Sequence, residues 1–333
     1  MTEKKQDITT IVFDPQTAST LAVNLVGELR KDAGGGIKSG IGDLDKMLLP
    51  FRPGELVTVL GYTSNYKSGF MNWLSKQAVK EIIKDKTDNE FVARVTWEQS
   101  VEEDTLSWLA GDADLSITRL ARGLVDDKEW KILERSSVKR ATTPIWIVGH
   151  SQLEQKERRR SRPRMTMNDV ALALEYICND ATEKKIKPKM IVLDYLQRIR
   201  PDQKDGDSKR EQMMEAVNRA KDAAIAFGCP VLLGVQTGRQ VMEREDKTPT
   251  IDDGQETSNI EQSSDKMFGV WYPVKTEAPG KLISNVPVSK NLLIVRLLKQ
   301  KLGEAPKTFA LHVDPEKNLL ASLERIQDDT RRN

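Results

Sequence analysis

Apolar residues change their period along this chain. Within "PQTASTLAVNLVGELRKDAGGG", Ala18, Leu21, Ala22, Leu25, Val26 and Leu29 recur three and four apart. That spacing predicts an amphipathic helix, ended by Gly34, Gly35 and Gly36, with polar residues 1–14 ahead of it. Such a helix either packs on its own domain or swings out on the glycine tether to dock on a neighbouring subunit. From about residue 37 to 325 the pattern alternates. "LVTVL" (56–60), "FVARVTW" (91–97), "PIWIVG" (144–149), "MIVLDYL" (190–196), "PVLLGVQ" (230–236) and "KMFGVWY" (266–272) are short, β-rich and mostly apolar throughout, which predicts strands buried on both faces. Between them, stretches such as "FMNWLSKQAVKEIIKD" and "REQMMEAVNRAKDAAIAFG" read as helices. The rhythm predicts an α/β fold, a mostly parallel central β-sheet flanked by helices. We read a tail and linker helix over 1–36, one α/β domain over 37–325, and a flexible tail over 326–333.

Composition narrows the function classes. Of 333 residues, 38% are hydrophobic and 31% charged, so a sizeable core can form. The net charge of +2, from 52 Lys+Arg against 50 Asp+Glu, removes any global basic field; contact with nucleic acid must be local. Two cysteines, Cys178 and Cys229, and two histidines, His150 and His312, lack the spacing of a zinc site. No leader-like or membrane-spanning run is present, which predicts a cytoplasmic protein with no membrane partner. Two loops are strongly charged, "QKERRRSRPRM" (155–165) and "RPDQKDGDSKR" (200–210). The first lacks interleaved aromatics, so a solvated loop competes with contact to DNA or a partner.

The stretch "GYTSNYKSGF" (61–70) carries the chemistry. A phosphate-binding loop needs Gly, four free positions, then Gly-Lys-Ser/Thr, between a strand and a helix, so that backbone N–H groups and the helix N-terminus converge on phosphate. Gly61, Lys67 and Ser68 fit; Tyr62, Thr63, Ser64 and Asn65 fill the loop; Tyr66 stands where the second glycine belongs. Lys67 is expected on the β and γ phosphates and Ser68 in the Mg2+ shell. A positive φ at Tyr66 would store roughly 1–3 kcal/mol of strain, and its ring needs somewhere to go. "MIVLDYLQ" is an apolar strand that delivers the carboxylate of Asp194, a second candidate metal ligand, to the sheet edge.

In chain order, "GIGDLDKMLLPFRPGELVTVLG", "VTWEQS", "IVLDYLQ", "PVLLGVQTGR", "DDGQETSNIEQSSD" and "RLLKQKLG" together resemble the RecA-like P-loop ATPase domain of DnaB-type replicative helicases, over about residues 37–315. The resemblance implies ATP and Mg2+ as ligands, Glu98 as the carboxylate that polarises the attacking water, and Gln236 as a sensor of the γ phosphate. It implies that Lys299 and Lys301 reach a neighbouring subunit's nucleotide. Two apart on a strand, they would project from one face, and Lys301 stands where the family has an arginine. It further implies a loop that holds single-stranded DNA, with Gln255, Glu256, Thr257 and Ser258 as candidates and Arg239 as a further one; Gln255 replaces a common arginine. The expected assembly is a homo-oligomeric ring, a hexamer, working with a loader or other replication proteins. No counterpart of the helical N-terminal domain is recognised, which suggests a phage, plasmid or mobile-element type. The rival reading is a nucleotide-dependent DNA-binding platform that recruits partners and hydrolyses weakly; a RecA-type recombinase fits the motifs less well.

Overall fold

The computed structural model describes residues 14–31, 36–153, 165–199, 208–254 and 257–323. The chain divides into two compact units, residues 1–36 and 37–333. In the first, α1 (Pro15–Lys31) starts behind Asp14, whose carboxylate accepts from the Thr17 amide at 2.9 Å and the Thr17 hydroxyl at 2.5 Å. Those bonds cap the helix and hold the Asp14 carboxyl below its usual range. Leu21, Leu25 and Val26 on this helix are exposed.

The second unit runs α2 (Gly42–Asp45), β1 (Leu56–Gly61), α3 (Lys67–Asp85), β2 (Glu90–Thr96), α4 (Val101–Ala113), α5 (Ile117–Ala121), α6 (Asp127–Ala141), β3 (Ile145–Val148), α7 (Met167–Asn179), β4 (Lys187–Asp194), α8 (Lys209–Phe227), β5 (Val231–Gln236), α9 (Thr257–Ser263) and β6 (Lys266–Trp271). A small hairpin of β7 (Leu282–Ile283) and β8 (Val286–Pro287) follows, then β9 (Leu292–Gln300), β10 (Lys307–Asp314) and β11 (Leu319–Ser322). Nine strands form one sheet in the order β11-β10-β9-β6-β1-β5-β4-β2-β3. The six from β6 to β3 are parallel; β9, β10 and β11 extend the sheet antiparallel.

Burial on both faces explains why the strands read as unbroken apolar runs. On β1, Val57 and Val59 join Phe70, Met71 and Leu74 of α3 in one core, while Leu56 and Leu60 join Val217, Ala220 and Ala224 of α8 in the other. Thr58 stays buried because its hydroxyl shares a 2.7 Å hydrogen bond with Ser264. Helices α4, α6, α7 and α8 each begin with a reciprocal capping box, at Ser100, Asp126, Thr166 and Ser208. Each such cap contributes about 1 kcal/mol.

Charges inside the domain are paired or stacked. Arg94 on β2 grips Asp104 on α4 with two bonds, of 3.0 and 2.5 Å, and donates a third to Ser75 at 3.1 Å. Beside it the Arg140 guanidinium lies 4.2 Å over the Trp108 ring. Burial pushes the nearby Lys76 ammonium down to about 8; Asp112 pulls the other way and Arg140 adds to the push. At the edge where the parallel strands begin, Lys266 pairs with Glu55 and donates to the Pro50 carbonyl at 3.2 Å, and Lys221 pairs with Asp265 at 2.6 Å.

Two strand ends place candidate residues. The strand predicted over 91–97 stops at Thr96, so Glu98 lies two residues beyond its end. Lys299 and Lys301 straddle the end of a strand: β9 ends at Gln300, and Lys301 opens the turn after it, its amide still donating to the Asp265 carbonyl at 2.8 Å. The register of β9 against β6 slips between Met267 and Phe268, with Leu298 as the extra residue ahead of Lys299.

Candidate nucleotide site

The carboxyl ends of the parallel strands meet along one edge: Gly61 lies opposite Gln236 and Val270, and Thr96 opposite Asp194. Loop residues 62–66 leave β1 there and turn into α3. Ser64 and Tyr66 both take the left-handed conformation, with φ of 63° and 66°. Tyrosine therefore does occupy a glycine-like backbone, at a cost of about 1–2 kcal/mol. Its ring lies across the first turn of α3, so close over Gly69 that a Cβ there would sit 2.5 Å from it. It packs 6.0 Å from the Tyr272 ring, and its hydroxyl donates to Asn318 at 2.8 Å. Burial raises the Tyr66 hydroxyl above its usual range. Asn65 is buried; its side chain accepts from the Tyr272 amide at 3.0 Å and donates to the Thr63 carbonyl at 3.3 Å.

Helix α3 differs from its neighbours at its start. No side chain caps it and no acidic residue stands in its first turn, so its first N–H groups and its partial positive charge remain available to an anion. Lys67 and Ser68 open that turn. The Lys67 ammonium rests 4.1 Å from the centre of the Tyr195 ring. Burial lowers it below the usual lysine range, while Asp194 and Glu98 both pull it back up, so the three side chains share one electrostatic neighbourhood.

Asp194 ends β4 only 8% exposed, and its Oδ1 is buried with no hydrogen-bond partner among the described residues. Gly234 on the next strand leaves it room; a Cβ there would lie 3.2 Å from that oxygen. An orphaned carboxylate oxygen beside a lysine and a helix start suits a hydrated divalent cation whose remaining ligands come from phosphate and water. Among the described residues no cluster of three or more His, Cys, Asp or Glu could hold a metal alone. Glu98 is half exposed and sits 3.7 Å from Arg198, which follows β4 in the 3-10 turn Leu196–Arg198. An exposed pair of that kind is worth less than about 1 kcal/mol and is readily displaced.

Gln236 ends β5 opposite Gly61. Its side-chain amide donates to the Thr63 hydroxyl, and its backbone exchanges two bonds with Gln197, of 3.1 and 2.9 Å. The following residue, Thr237, bridges Gly254, so the phosphate loop is joined through Gln236 to the segment that leads into residues 255 and 256. Gln255 and Glu256 lie outside the described residues, as do 154–164 and 200–207 within the two charged loops. Thr257 and Ser258 begin α9, a helix where the sequence reading had a loop. Arg239 is exposed in the 3-10 turn Arg239–Glu243.

Lys299 and Lys301 are not brought to this cluster. Lys299 pairs with Met267 near the start of β6, whereas the phosphate loop lies level with Val270 at its other end. The Lys299 ammonium donates to the Glu261 carbonyl at 2.6 Å; the Lys301 side chain is 72% exposed, with its ammonium 3.9 Å from Asp265. Sequence reading also passed over Tyr195, Arg198, Gln197, Tyr272 and Asn318. Tyr195 and Gln197 stood inside a quoted motif, but no period or spacing marks their partners.

Comparison with known proteins bears on the fold and the family. The "ATPase Domain of G40P" superposes with a TM-score of 0.74 at 19% identity, over 93% of this chain and all of that one. A DnaB-like replicative helicase, solved in a study of its interactions with primase, gives 0.70 at 21%, over 91% and 66%. At such identity these establish the fold, a RecA-like one. The replicative DNA helicase DnaC of Bacillus subtilis is 25% identical over 298 residues, 88% of this chain and 58% of that protein. The replicative DNA helicase DnaB of Rickettsia bellii is 28% identical over 242 residues, 71% and 45%. The chain thus spans about half the length of these curated relatives. The model of the DnaB-like helicase C terminal domain matches residues 36–308, most of the chain, and the chain belongs to that family.

Proposed function

We propose that this protein is an ATP-driven motor that assembles as a homo-oligomeric ring, a hexamer, on single-stranded DNA and translocates along it or unwinds duplex. The observation that carries the reading is the convergence of Lys67, at the uncapped start of α3, with the orphaned carboxylate of Asp194 and with Glu98. In this reading the amides of residues 62–68 and the Lys67 ammonium hold the β and γ phosphates. Ser68 and Asp194 hold Mg2+, which supplies charge neutralisation across the phosphates. Glu98, released from Arg198, orients and deprotonates the attacking water. Gln236 senses the γ phosphate and passes its state through Thr237 and Gly254 to the DNA-facing segment that holds Gln255, Glu256, Thr257 and Ser258, with Arg239 nearby. Lys299 and Lys301 act on the nucleotide of an adjacent copy. A loader or other replication proteins would place the ring on DNA in the cytoplasm; among the described residues no helix is long and apolar enough to cross a membrane.

ATP turnover with and without single-stranded DNA, in the native chain and in Glu98→Gln, tests this. The expected result is DNA-stimulated turnover that falls at least about 100-fold in the variant while ATP binding persists. Tight ATP binding with negligible turnover in both proteins would instead identify a nucleotide-dependent assembly platform.

A further inference from the structure

The Tyr66 side chain has no role in the chemistry just described, yet it is firmly held within the phosphate loop. It adopts a backbone conformation that glycine takes freely and tyrosine resists. The contacts that compensate come from elsewhere: Gly69 beneath the ring, Tyr272 beside it, and Asn318 at the hydroxyl. Asn318 is 4% exposed in the turn between β10 and β11, with φ of 49°, a conformation asparagine tolerates. That turn is itself fastened to the region after α4. The Glu316 carboxylate accepts from the Thr118 hydroxyl at 2.9 Å and the Thr118 amide at 3.2 Å, the Glu316 carbonyl accepts from the Ile117 amide at 3.0 Å, and Lys317 pairs with Asp114 at 2.6 Å. One residue earlier, Asn65 is fastened to the Tyr272 amide.

We infer that Tyr66 is a positioning residue, which replaces the glycine of the usual loop with an outside anchor and so holds the first amides of α3 and the Lys67 side chain where phosphates bind. The inference rests on the nucleotide-site reading above. It has an unexpected corollary. Restoring the common pattern with Tyr66→Gly should harm the site, because glycine removes the anchor and leaves the loop free to sample conformations that do not bind. A tyrosine that merely obstructed the loop would give the opposite result.

The test is equilibrium binding of ATP, ADP and AMP to the full chain, native and in Tyr66→Phe, Asn318→Gly, their combination, and Tyr66→Gly. Tyr66→Phe keeps the ring and Asn318→Gly keeps the backbone conformation, so both variants retain the fold. Each should weaken ATP about three- to tenfold, as loss of one hydrogen bond does. The double variant should bind no worse than the weaker single, since both remove the same bond. Tyr66→Gly should weaken ATP by more than about tenfold, and AMP, with one phosphate, should lose least throughout. Equal losses for ATP and AMP would mark a merely structural role and overturn the inference. So would a Tyr66→Gly protein that binds ATP as tightly as the native one, or additive losses in the double variant. If the native chain binds no ATP, the nucleotide-site reading falls and this inference with it; native binding with unchanged variants overturns the inference alone.

Discussion

The two edges of the parallel sheet handle charge in opposite ways. Where the strands begin, Lys266 meets Glu55, Lys221 meets Asp265, and Asp265 also accepts from the Leu56 amide at 2.9 Å. Where the strands end, Asp194 keeps a buried oxygen and Thr237 a buried hydroxyl with no hydrogen bond among the described residues, and Lys67 leans on an aromatic face. The two edges thus differ in their carboxylates: those of Glu55 and Asp265 are paired, while that of Asp194 keeps one oxygen without a hydrogen bond among the described residues. Burying an unpaired polar group costs roughly 1–3 kcal/mol, so the open edge is maintained against the stability of the free protein. A ligand that supplies anionic oxygens and a cation would settle all of these groups together.

The largest expected effect comes from removing charge at the open edge. Asp194→Asn should lower ATP turnover by roughly 1,000-fold, yet leave the midpoint of thermal unfolding unchanged or slightly raised, because its orphaned oxygen gives up no hydrogen bond and Lys67 keeps the attraction of Glu98. A clear fall in that midpoint would break the contrast. Next comes the paired edge, where Lys266→Met leaves the Glu55 carboxylate facing an apolar group. Urea unfolding should show a loss of about 3 kcal/mol, with the ATP turnover of the folded fraction unaltered. If turnover falls with stability, the two edges are not independent.

The smallest effect sharpens the comparison at a third place, the corner of α3, α4 and α6. Lys76 has its folded-state pKa depressed to about 8 from 10.5. Between those values the unfolded chain holds a proton that the folded chain has released, so this residue makes stability rise as pH climbs from 8 towards 10.5. Allowing for partial solvent access, unfolding free energies at pH 8 and 10 should differ by about 1–2 kcal/mol more in the native chain than in Lys76→Met. Equal pH slopes in the two proteins would show that the corner is well solvated.

Features set by neighbouring residues were legible in the sequence. Five of the six parallel strands announce themselves because burial on both faces removes polar residues; the edge strand β3 is equally apolar but only half-buried. The phosphate loop stands out because Gly61, Lys67 and Ser68 are fixed by local spacing, and Asp194 because it closes an apolar run. What stayed hidden depends on distant partners. The ring of Tyr66 finds its place through Asn318, 252 residues away, and nothing near residue 66 foretells that bond. Arg94, a charge in the middle of a strand, is explained by Asp104 on the following helix rather than by any period. The shared face expected of Lys299 and Lys301 depends on where β9 stops, at Gln300, and nothing in the local sequence marks that end. Roles that need DNA or a second copy stay as expectations, since no feature inside one chain fixes them.

The place of β1 in the strand order carries one last consequence. It lies between β5 and β6 and is laced to both along nearly its whole length. Mechanically, a tug on the loop at its tip loads those two ladders in shear, so their hydrogen bonds resist together instead of peeling away in turn. The root of the loop is therefore mounted in the interior of the sheet, and a load on it would travel into the body of the domain rather than fraying its margin.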